Sequence, residues 1–334
     1  MTVKVALVGL GMAVTPHAKS LIDLKSRVEV AYAYSPSAER RAKFAERFAH
    51  LAEFPLTDRL ETILDDRAVD AVLILTPPNT HLELVERCAK AGKHILLEKP
   101  LEITTARAEQ LVSLCKNLTL GIVLQHRFRP AAEKLHELLA AGRLGKLVSA
   151  CASIPNWRPQ SYYDQPGRGT RARDGGGVLL TQGIHTLDLL TWFAGEAAEV
   201  KAFSTTTAVH RMETEDLACA AVRFQNGALG VVHATTTAYP GYPERVELIG
   251  THGTGVIEGT TLRAQLMDGT SVELKTDSGG GGTGADPMAF PHDWHRSLLA
   301  DFLDAIEKRH EPRSSGRETL KVHRLIDQIL RAQV

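Results

Sequence analysis

Residues 3–17 read VKVALVGLGMAVTPH, a short apolar run followed by two glycines and then a segment of helical character. A strand, a glycine turn and a helix in this order form the unit in which a Rossmann domain seats a pyrophosphate on a helix N-terminus. Gly9 permits the tight turn, and Gly11 lets the backbone approach the phosphates. The third glycine of the G-x-G-x-x-G pattern is Val14 here, so this stretch indicates dinucleotide binding only together with the segments that follow.

Apolar, β-branched runs alternate with amphipathic segments from residue 3 to about residue 125. This alternation predicts a doubly wound parallel sheet, forming an α/β Rossmann dinucleotide-binding domain over residues 1–125. The predicted strands are 3–8, 28–34, 70–75, 93–97 and 120–124, and helical segments such as 37–49 and 79–92 lie between them.

Beyond residue 125 the pattern changes to a predicted helix near 130–142 and longer strands spaced as a meander. The strands are predicted at 145–155, 198–208, 215–225, 228–238, 244–250, 253–258, 262–267 and 271–275, and two helices at 293–309 and 316–333. Turns at 225–228 and 251–254 indicate antiparallel pairing. We therefore predict an α+β substrate-binding and oligomerisation domain over residues 126–334, with a large, open, mostly antiparallel sheet and helices on one face. The glycine-rich stretch 277–284 is predicted to be a mobile surface loop.

Length, charge and cysteine content narrow the class of protein. A chain of 334 residues exceeds what one hydrophobic core usually supports, so two domains are expected. Lys plus Arg and Asp plus Glu both number 39, which argues against nucleic acid, an anionic membrane surface or a polyanionic substrate. No apolar run approaches the length of a membrane span, and no secretory leader is expected. Four widely spaced cysteines favour a reduced, cytoplasmic setting.

Polar motifs follow two neighbouring predicted strands, LTPPNTH at residues 75–81 and LEKPL at residues 97–101. The carboxyl ends of parallel strands are where open α/β sheets bind their ligands. Lys99 leaves an apolar strand and precedes a proline, so we expect it to be partly desolvated and to hydrogen-bond a substrate oxygen. A solvated lysine at a strand end is the alternative that the residue alone leaves open.

Residues 174–190 read DGGGVLLTQGIHTLDLL, and the apolar residues from Val178 onward predict one buried helix. Thr181, His185 and Asp188 would then share one face of that helix, at positions i, i+4 and i+7. A buried histidine is more often a hydrogen-bonded core residue than a catalyst. The glycine loop and the nearby Thr181 favour the catalytic interpretation here.

Taken together and in this order, these segments resemble the glucose-fructose oxidoreductase, inositol dehydrogenase and rhizopine-catabolism (Gfo/Idh/MocA) family of NAD(P)-dependent oxidoreductases. The resemblance spans essentially the whole chain, and Glu98-Lys99-Pro100 with the histidine segment carries it. The stretch through His185, preceded by Tyr162-Tyr163 and Arg168, is most similar to the sugar and nucleotide-sugar branch. The resemblance implies reversible hydride transfer between NAD(P) and a sugar, sugar nucleotide or cyclic polyol, without a metal. A non-catalytic NAD(P)-binding sensor of the same fold is the alternative.

The resemblance also implies individual roles. Lys99 hydrogen-bonds the reacting oxygen, and His185 is the general base in oxidation and the general acid in reduction. Thr181 stands where inositol dehydrogenases have an aspartate that pairs with the histidine, which favours a sugar over an inositol as substrate. The predicted cofactor-binding residues are Gly9, Gly11, Met12, Ala13, Ser35, Arg40, Thr76, Pro77, Asn79, His81, Glu98, Lys99 and Gln125. The predicted substrate-binding residues are Lys99, Arg127, Trp157, Tyr163, Arg168, Thr181 and His185, with Asn156 as a further candidate. For Asn156, Trp157, Tyr163 and Arg168 the alternative that stays open is that they are ordinary loop residues.

The end of the second predicted strand bears on the choice of nicotinamide cofactor. Ser35 stands where an NAD-specific Rossmann domain has an acidic residue that binds the ribose diol. A serine leaves room for a 2′-phosphate, and Arg40 and Arg41 are candidates to neutralise it. The sequence therefore favours NADP over NAD, and arginines that face solvent are the alternative.

The second predicted sheet also bears on assembly. Its strands at 218–222 and 229–232 carry small and apolar residues on both faces. A sheet with two apolar faces exposes a large apolar patch unless something covers the second face. The family resemblance points the same way, so we expect a homodimer or homotetramer joined through this sheet.

Overall fold

The computed structural model describes residues 2–48, 50, 52–276 and 291–332. The chain divides into two compact units, of which the first comprises residues 1–102, 106–124 and 292–317 and the second comprises residues 103–105, 125–291 and 318–334. The predicted boundary at residue 125 lies where the chain passes from the first unit to the second. Residues 292–317 return to the first unit, which a linear division of the sequence does not anticipate.

A six-stranded sheet forms the centre of the first unit. Its strands are β1 (Val3–Val8), β2 (Val28–Tyr34), β3 (Leu56–Thr57), β4 (Ala71–Ile74), β5 (His94–Leu97) and β6 (Leu120–Ile122). All are parallel and lie in the order β3-β2-β1-β4-β5-β6. The connecting helices are α1 (Val14–Asp23), α2 (Ala38–Phe48), α3 (Leu60–Asp65), α4 (His81–Lys90) and α5 (Thr105–Leu114). The predicted parallel sheet is confirmed, and only β3 was missed because two residues are too short for an apolar run.

Burial explains why the strands of this sheet are apolar without alternation. All four residues of β4 are buried, and five of the six residues of β1 are buried. Continuous burial of this kind is expected where helices cover both faces of a parallel sheet. The polar residues that the sequence offers therefore lie beyond the strand ends.

An eight-stranded sheet forms the centre of the second unit. Its strands are β7 (Leu147–Pro155), β8 (Ala197–Thr205), β9 (Leu217–Phe224), β10 (Leu229–Thr235), β11 (Arg245–Gly250), β12 (Gly253–Glu258), β13 (Thr261–Leu266) and β14 (Ser271–Lys275). They lie in the order β14-β13-β12-β11-β7-β10-β9-β8, and every neighbouring pair is antiparallel except β7 with β10. Burial alternates along β9, so this sheet is covered on one face. The predicted, mostly antiparallel sheet is confirmed.

The remaining helices are α6 (Pro130–Ala140), α7 (Gln160–Tyr163), α8 (Val178–Thr181), α9 (Ile184–Ala194), α10 (Asp293–Lys308) and α11 (Gly316–Arg331). Helix α10 belongs to the first unit, where it packs on α1. Two 3₁₀ turns lie at Pro78–Thr80 and Gln125–Phe128. Among the described residues no helix is both long and apolar enough to cross a bilayer. The predicted loop at 277–284 lies outside the described residues.

The prediction of one helix over residues 178–190 is wrong. Helix α8 ends at Thr181, and α9 begins at Ile184. Gly183 lies at the break, where an added Cβ would be 3.0 Å from the Val178 carbonyl oxygen and 3.1 Å from Ile154 Cδ1. Both contacts are tight for a side chain, and apolar spacing does not register them. Thr181 and His185 therefore lie on different helices, whereas His185 and Asp188 share α9.

Candidate functional site

The glycine turn after β1 brings the backbone close to the end of β4. Gly9 has a φ of +104°, and a Cβ at this position would lie 2.9 Å from Thr76 Cγ2. Glycine satisfies both the backbone conformation and the close approach. A Cβ at Gly11 would meet nothing within 4 Å, because this position faces open space just ahead of α1. A pyrophosphate seated on a helix N-terminus fits that space. Val14, at the third glycine position, is buried as the first residue of α1.

His81 joins the turns that follow β4 and β5. Its Nδ1 lies 3.0 Å from the Pro100 carbonyl oxygen, and its Nε2 lies 2.9 Å from the Thr76 carbonyl oxygen. The ring is fully buried, and burial lowers the pKa of His81 although the carbonyl contacts oppose the shift. The neutral imidazole lies between the two turns and donates its single N–H to a carbonyl oxygen of one of them. Its predicted part in cofactor binding stays a prediction.

Glu98 and Lys99 follow β5 directly. Glu98 Oε1 accepts a hydrogen bond from His17 Nε2 at 2.8 Å, and Glu98 Oε2 accepts one from the Lys99 backbone N–H at 3.1 Å. Burial raises the pKa of Glu98, but the His17 hydrogen bond and nearby charges outweigh it and hold that pKa below its ordinary value. The carboxylate next to Lys99 is therefore ionised at neutral pH.

His295 of α10 completes this buried group. Its ring stands edge-on to that of His17 with the centroids 5.2 Å apart, and burial lowers the pKa of His295 to about 3. The ligand atoms of His17, Glu98 and His295 lie within 4.8 Å of one another, so within the described part of the chain this group has the residue types to hold a metal ion. The hydrogen bond between His17 and Glu98 already satisfies two of its members.

Ser35 closes β2, next to β1 in the sheet. Its carbonyl oxygen accepts a hydrogen bond from Arg41 Nη1 at 2.6 Å, and its Oγ accepts one from the Ser37 backbone N–H at 3.3 Å. The Arg41 guanidinium also lies 3.5 Å from Asp58 Oδ2, and Arg40 is exposed. One arginine is thus held against the end of β2, and a second lies beside it in the chain.

His185 is the second residue of α9 in the second unit, and it is buried. Its ring stacks on that of His126 with the centroids 4.7 Å apart and the planes 29° apart. The next residue, Thr186, donates a hydrogen bond from its Oγ1 to Glu244 Oε2 at 2.6 Å. The same carboxylate oxygen lies 3.7 Å from His126 Nδ1. Sequence reasoning missed Glu244 because it stands alone before a strand, in no motif.

Arg127 lies in the same 3₁₀ turn as His126 and pairs with Asp188 of α9. Its Nε and Nη2 donate to the two carboxylate oxygens, both at 2.7 Å, and its guanidinium lies 5.3 Å from the Trp192 ring centroid. Both charged side chains are buried. The pair joins the turn to the helix that carries His185. Substrate contact by Arg127 stays a prediction, and in this structure its guanidinium binds Asp188.

The predicted sugar-binding side chains follow β7. The Tyr163 hydroxyl donates to Thr236 Oγ1 at 3.0 Å, and burial raises the pKa of Tyr163. Trp157 stands edge-on to Tyr239 at 5.4 Å between centroids. The Arg168 guanidinium lies 5.0 Å from the Tyr162 ring centroid. Asn156 Nδ2 donates a hydrogen bond to Glu244 Oε1 at 3.5 Å.

The structure gathers part of the predicted set at one edge of the first sheet. The neighbouring strands β2, β1, β4 and β5 end there and present Ser35, Gly9 with Gly11, Thr76, and Glu98 with Lys99. Of the other predicted residues, Met12, Asn79 and Arg40 are exposed, Ala13 and Pro77 are partly buried, and Gln125 is buried. Thr181 Oγ1 donates to the Gly177 carbonyl oxygen at 2.6 Å and also contacts Gln182 Oε1.

Comparisons with known proteins match both halves of the chain. A model of an oxidoreductase family with an NAD-binding Rossmann fold matches residues 3–126, and the GFO/IDH/MocA C-terminal domain matches residues 132–256. The 1,5-anhydro-D-fructose reductase of Ensifer adhaerens is 30% identical over 294 residues, covering 87% of this chain and 84% of the relative. The myo-inositol 2-dehydrogenase of Thermotoga maritima is 29% identical over 259 residues, covering 75% of this chain and 73% of the relative.

A solved structure agrees with these matches. The WlbA dehydrogenase from Bordetella pertussis, in complex with NADH and UDP-GlcNAcA, has a TM-score of 0.82 at 26% identity and covers 99% of this chain and 96% of its own. The predicted family resemblance is confirmed, because two family models and a relative at 30% identity span most of the chain. The chain belongs to the GFO/IDH/MocA family of NAD-dependent oxidoreductases.

Proposed function

We propose that the protein transfers a hydride reversibly between NAD(P) and a hydroxyl-bearing carbon of a sugar, a sugar nucleotide or a cyclic polyol. The observation that carries this proposal is the edge of the first sheet, where four neighbouring strands end in the glycine turn, Ser35, Thr76 and Glu98-Lys99. Ligands of open α/β sheets bind at this edge. The open space at Gly11 and the close approach at Gly9 fit a pyrophosphate there.

Lys99 is proposed to hydrogen-bond the reacting oxygen of the substrate. Its backbone N–H is bound to the ionised Glu98, so the segment that carries the ammonium is fixed at the end of β5. An ammonium only donates hydrogen bonds, so it stabilises negative charge on an alcohol oxygen that is losing its proton.

His185 is proposed to move the proton of the reacting hydroxyl. In oxidation a ring nitrogen of His185 takes that proton, and in reduction it returns the proton to the new alcohol. A positioned acid or base of this kind contributes typically about 10² to 10⁴ in rate. The nicotinamide, when bound, supplies the hydride acceptor or donor. Lys99 and His185 together provide the polarisation and proton transfer that a metal ion provides in other enzymes.

A sugar-type substrate is proposed in preference to an inositol. Thr181 offers a hydroxyl that is already bound to the Gly177 carbonyl oxygen. The family resemblance implies an aspartate at this position in inositol dehydrogenases. The relatives that match the chain include both a sugar-derivative reductase and an inositol dehydrogenase. Trp157, Tyr163 and Arg168 are proposed to contact the substrate's hydroxyl groups and ring faces.

A substrate panel tests this proposal. Purified protein is mixed with NAD or NADP and with sugars, sugar nucleotides or inositols, and the absorbance of the reduced nicotinamide is followed. We expect reduction with at least one sugar or sugar nucleotide at a higher kcat/KM than with any inositol. An inositol as the best substrate would overturn the preference, and no reduction with any member, by protein that binds the cofactor, would favour a non-catalytic sensor.

NADP is proposed as the preferred cofactor. The end of β2 carries Ser35 instead of an acid, and the Arg41 guanidinium is held at the Ser35 carbonyl oxygen. One or two charge-assisted hydrogen bonds from Arg40 and Arg41 to a 2′-phosphate, at about 1.5 to 3 kcal/mol each, correspond to at least about tenfold tighter binding.

Titration of both cofactors into the parent and into Ser35→Asp tests the preference. The parent is expected to bind NADP more tightly, and Ser35→Asp is expected to reverse the order because its carboxylate repels a 2′-phosphate. Ser113→Asp, at an exposed position of α5, adds the same charge elsewhere and controls for net charge. Tighter binding of NAD by the parent would contradict the proposal.

The proposal also includes an oligomeric state and a cellular location. The uncovered face of the second sheet carries exposed Phe203, Leu229 and Val231, and we propose that a second copy of the chain covers it in a homodimer or homotetramer. The partners expected besides a second copy are small sugar-type molecules. A cytoplasmic setting is proposed because the four cysteines are free thiols.

A further inference from the structure

A buried carboxylate near His185, that of Glu244, has no part in the proposed proton transfer. Glu244 lies just before β11 and is 8% exposed. Its Oε2 accepts the hydrogen bond from Thr186 Oγ1 at 2.6 Å, and its Oε1 lies 3.5 Å from Asn156 Nδ2. Buried carboxylates are costly unless they are bound by donors or paired with charge. Glu244 is therefore held by Asn156 and by Thr186, the residue that follows His185 on α9.

The hydrogen bonds of His126 decide which of its ring nitrogens carries the proton. The Arg129 guanidinium is hydrogen-bonded to His126 Nε2. A guanidinium only donates, so Nε2 is the acceptor and the proton of the neutral ring lies on Nδ1. His126 Nδ1 is the nitrogen that lies 3.7 Å from Glu244 Oε2. The ring that stacks on His185 thus directs its N–H dipole towards a buried carboxylate.

The charges around His185 can be assigned element by element. On α9 itself, Asp188 is bound by Arg127 of the 3₁₀ turn. At the start of α6, Arg129 is buried, and burial lowers the pKa of Arg129 to about 10 while the charge of Glu244 opposes the shift. His126 contacts the His185 ring directly, and Arg129, Glu244, Arg127 and Asp188 are the other ionisable groups of the contacts just described. Glu318 lies 4.0 Å from Arg127, and His136 of α6 stacks on Trp192 of α9. The negative charge of Glu244 thus acts on the buried Arg129 guanidinium, which is hydrogen-bonded to His126.

We propose that Glu244 is a positioning residue for proton transfer at His185, where it offsets the positive charge that the imidazole acquires and acts through the stacked ring of His126. This inference rests on the proposed function of His185 as general base. When the substrate O–H bond breaks, its proton forms the new N–H bond on His185, and it remains there while Glu244 keeps its negative charge. The Glu244 carboxylate thus supplies the negative charge that an aspartate in place of Thr181 would have supplied.

The test is the pH dependence of kcat/KM for oxidation, measured with the best substrate of the panel. Loss of the carboxylate charge makes protonated His185 less stable, so the pKa of His185 falls. In Glu244→Gln the acidic limb is therefore expected to move to lower pH by about one unit. Turnover at the plateau is expected to fall about tenfold because a weaker base accepts the proton less readily. The Kd of the cofactor should stay within about twofold of the parent value.

Two further variants separate charge from packing. Glu244→Asp keeps the charge and should keep the acidic limb near its parental pH. Thr186→Val removes the 2.6 Å hydrogen bond but leaves the Glu244 carboxylate. The acidic limb of its pH profile should therefore also stay near the parental pH. A merely structural role would make Thr186→Val and Glu244→Gln behave alike, and that result would overturn the inference.

The proposed role of His185 as general base is tested separately by His185→Ala. If His185→Ala loses turnover while the limb of Glu244→Gln remains at the parental pH, the inference about Glu244 is wrong and the function of His185 stands. If His185→Ala retains turnover, the assignment of the general base itself is wrong.

Discussion

The Arg127 guanidinium binds the Asp188 carboxylate through two parallel hydrogen bonds of 2.7 Å, and neither side chain reaches solvent. Arg127 belongs to the 3₁₀ turn that opens the second unit, and Asp188 lies one helical turn beyond His185 on α9. The pair is bidentate, a geometry that adds both energy and specificity to such contacts. It therefore fixes the turn that carries His126 against the helix that carries His185.

Removing one partner of this pair should destabilise the protein strongly. In Arg127→Met the Asp188 carboxylate stays buried without its counter-charge, and the free energy of unfolding should fall by about 3 to 5 kcal/mol. Urea unfolding measures the change. Arg263→Met is the control, since Arg263 pairs with Glu273 on the surface and such exposed pairs contribute about 0 to 1 kcal/mol. Equal losses in both variants would contradict a structural role for the buried pair.

The stability contribution of Glu98 should depend on pH. Its pKa in the folded protein lies below the ordinary value, because the His17 hydrogen bond and nearby charges outweigh burial. The contribution is therefore complete above the unfolded pKa of about 4.3 and is lost as pH falls through the folded pKa. The stability difference between the parent and Glu98→Gln should shrink as pH is lowered from 7 towards 3. Glu46→Gln, at an exposed site on α2, is the control for the loss of a carboxylate that has no buried partner. A stability difference between the parent and Glu98→Gln that does not change with pH would count against this account.

Gly11 and Gly9 should respond differently to substitution. Gly11→Val places its side chain in open space, so the fold should survive while the new side chain blocks approach of the pyrophosphate and cofactor binding is lost. Gly9→Ala should instead lower the thermal midpoint, because its φ is +104° and its Cβ would lie 2.9 Å from Thr76 Cγ2. Calorimetric titration with NAD and NADP, beside thermal unfolding, separates the two effects. Parental affinity in a folded Gly11→Val would show that the cofactor does not approach this loop.

Assembly through the open sheet face should be sensitive to charge at its centre. Val231 is 53% exposed and lies opposite Ala221 on β9. Val231→Arg places a cation on that face and should convert the assembly to monomers in light scattering at micromolar concentration. Met267→Arg, in the turn that follows β13, adds the same charge elsewhere and should leave the assembly intact. A monomeric parent protein would contradict the prediction at once.

The fold was predictable because its elements have strong local signals. Parallel strands covered on both faces read as continuous apolar runs, and the second sheet shows alternation with an Asn-Gly turn between β9 and β10. The interruption at Gly183 was not predictable, since apolar spacing carries no signal for the tight packing of this glycine against Ile154. The return of α10 to the first unit could not be predicted either, because it depends on contacts between segments far apart in the chain.

The candidate site was predictable where motifs follow strand ends and not where single residues meet in space. Lys99 and His185 stand in motifs, so the family resemblance carried their proposed roles. His295 and Glu244 lie far along the chain from the groups that they contact, namely His17 in one unit and His126 with Thr186 in the other. No spacing rule connects such positions, and only the folded chain shows them together.

The central claim is that Lys99 and His185 carry out the chemistry of an NAD(P)-dependent oxidoreductase. The most direct test is steady-state oxidation of the best substrate by the parent, Lys99→Ala and His185→Ala, followed by absorbance of the reduced nicotinamide and accompanied by cofactor titration. Each variant is expected to lose about tenfold to a thousandfold in kcat while the Kd of the cofactor stays nearly unchanged. Near-parental kcat in both variants would contradict the account.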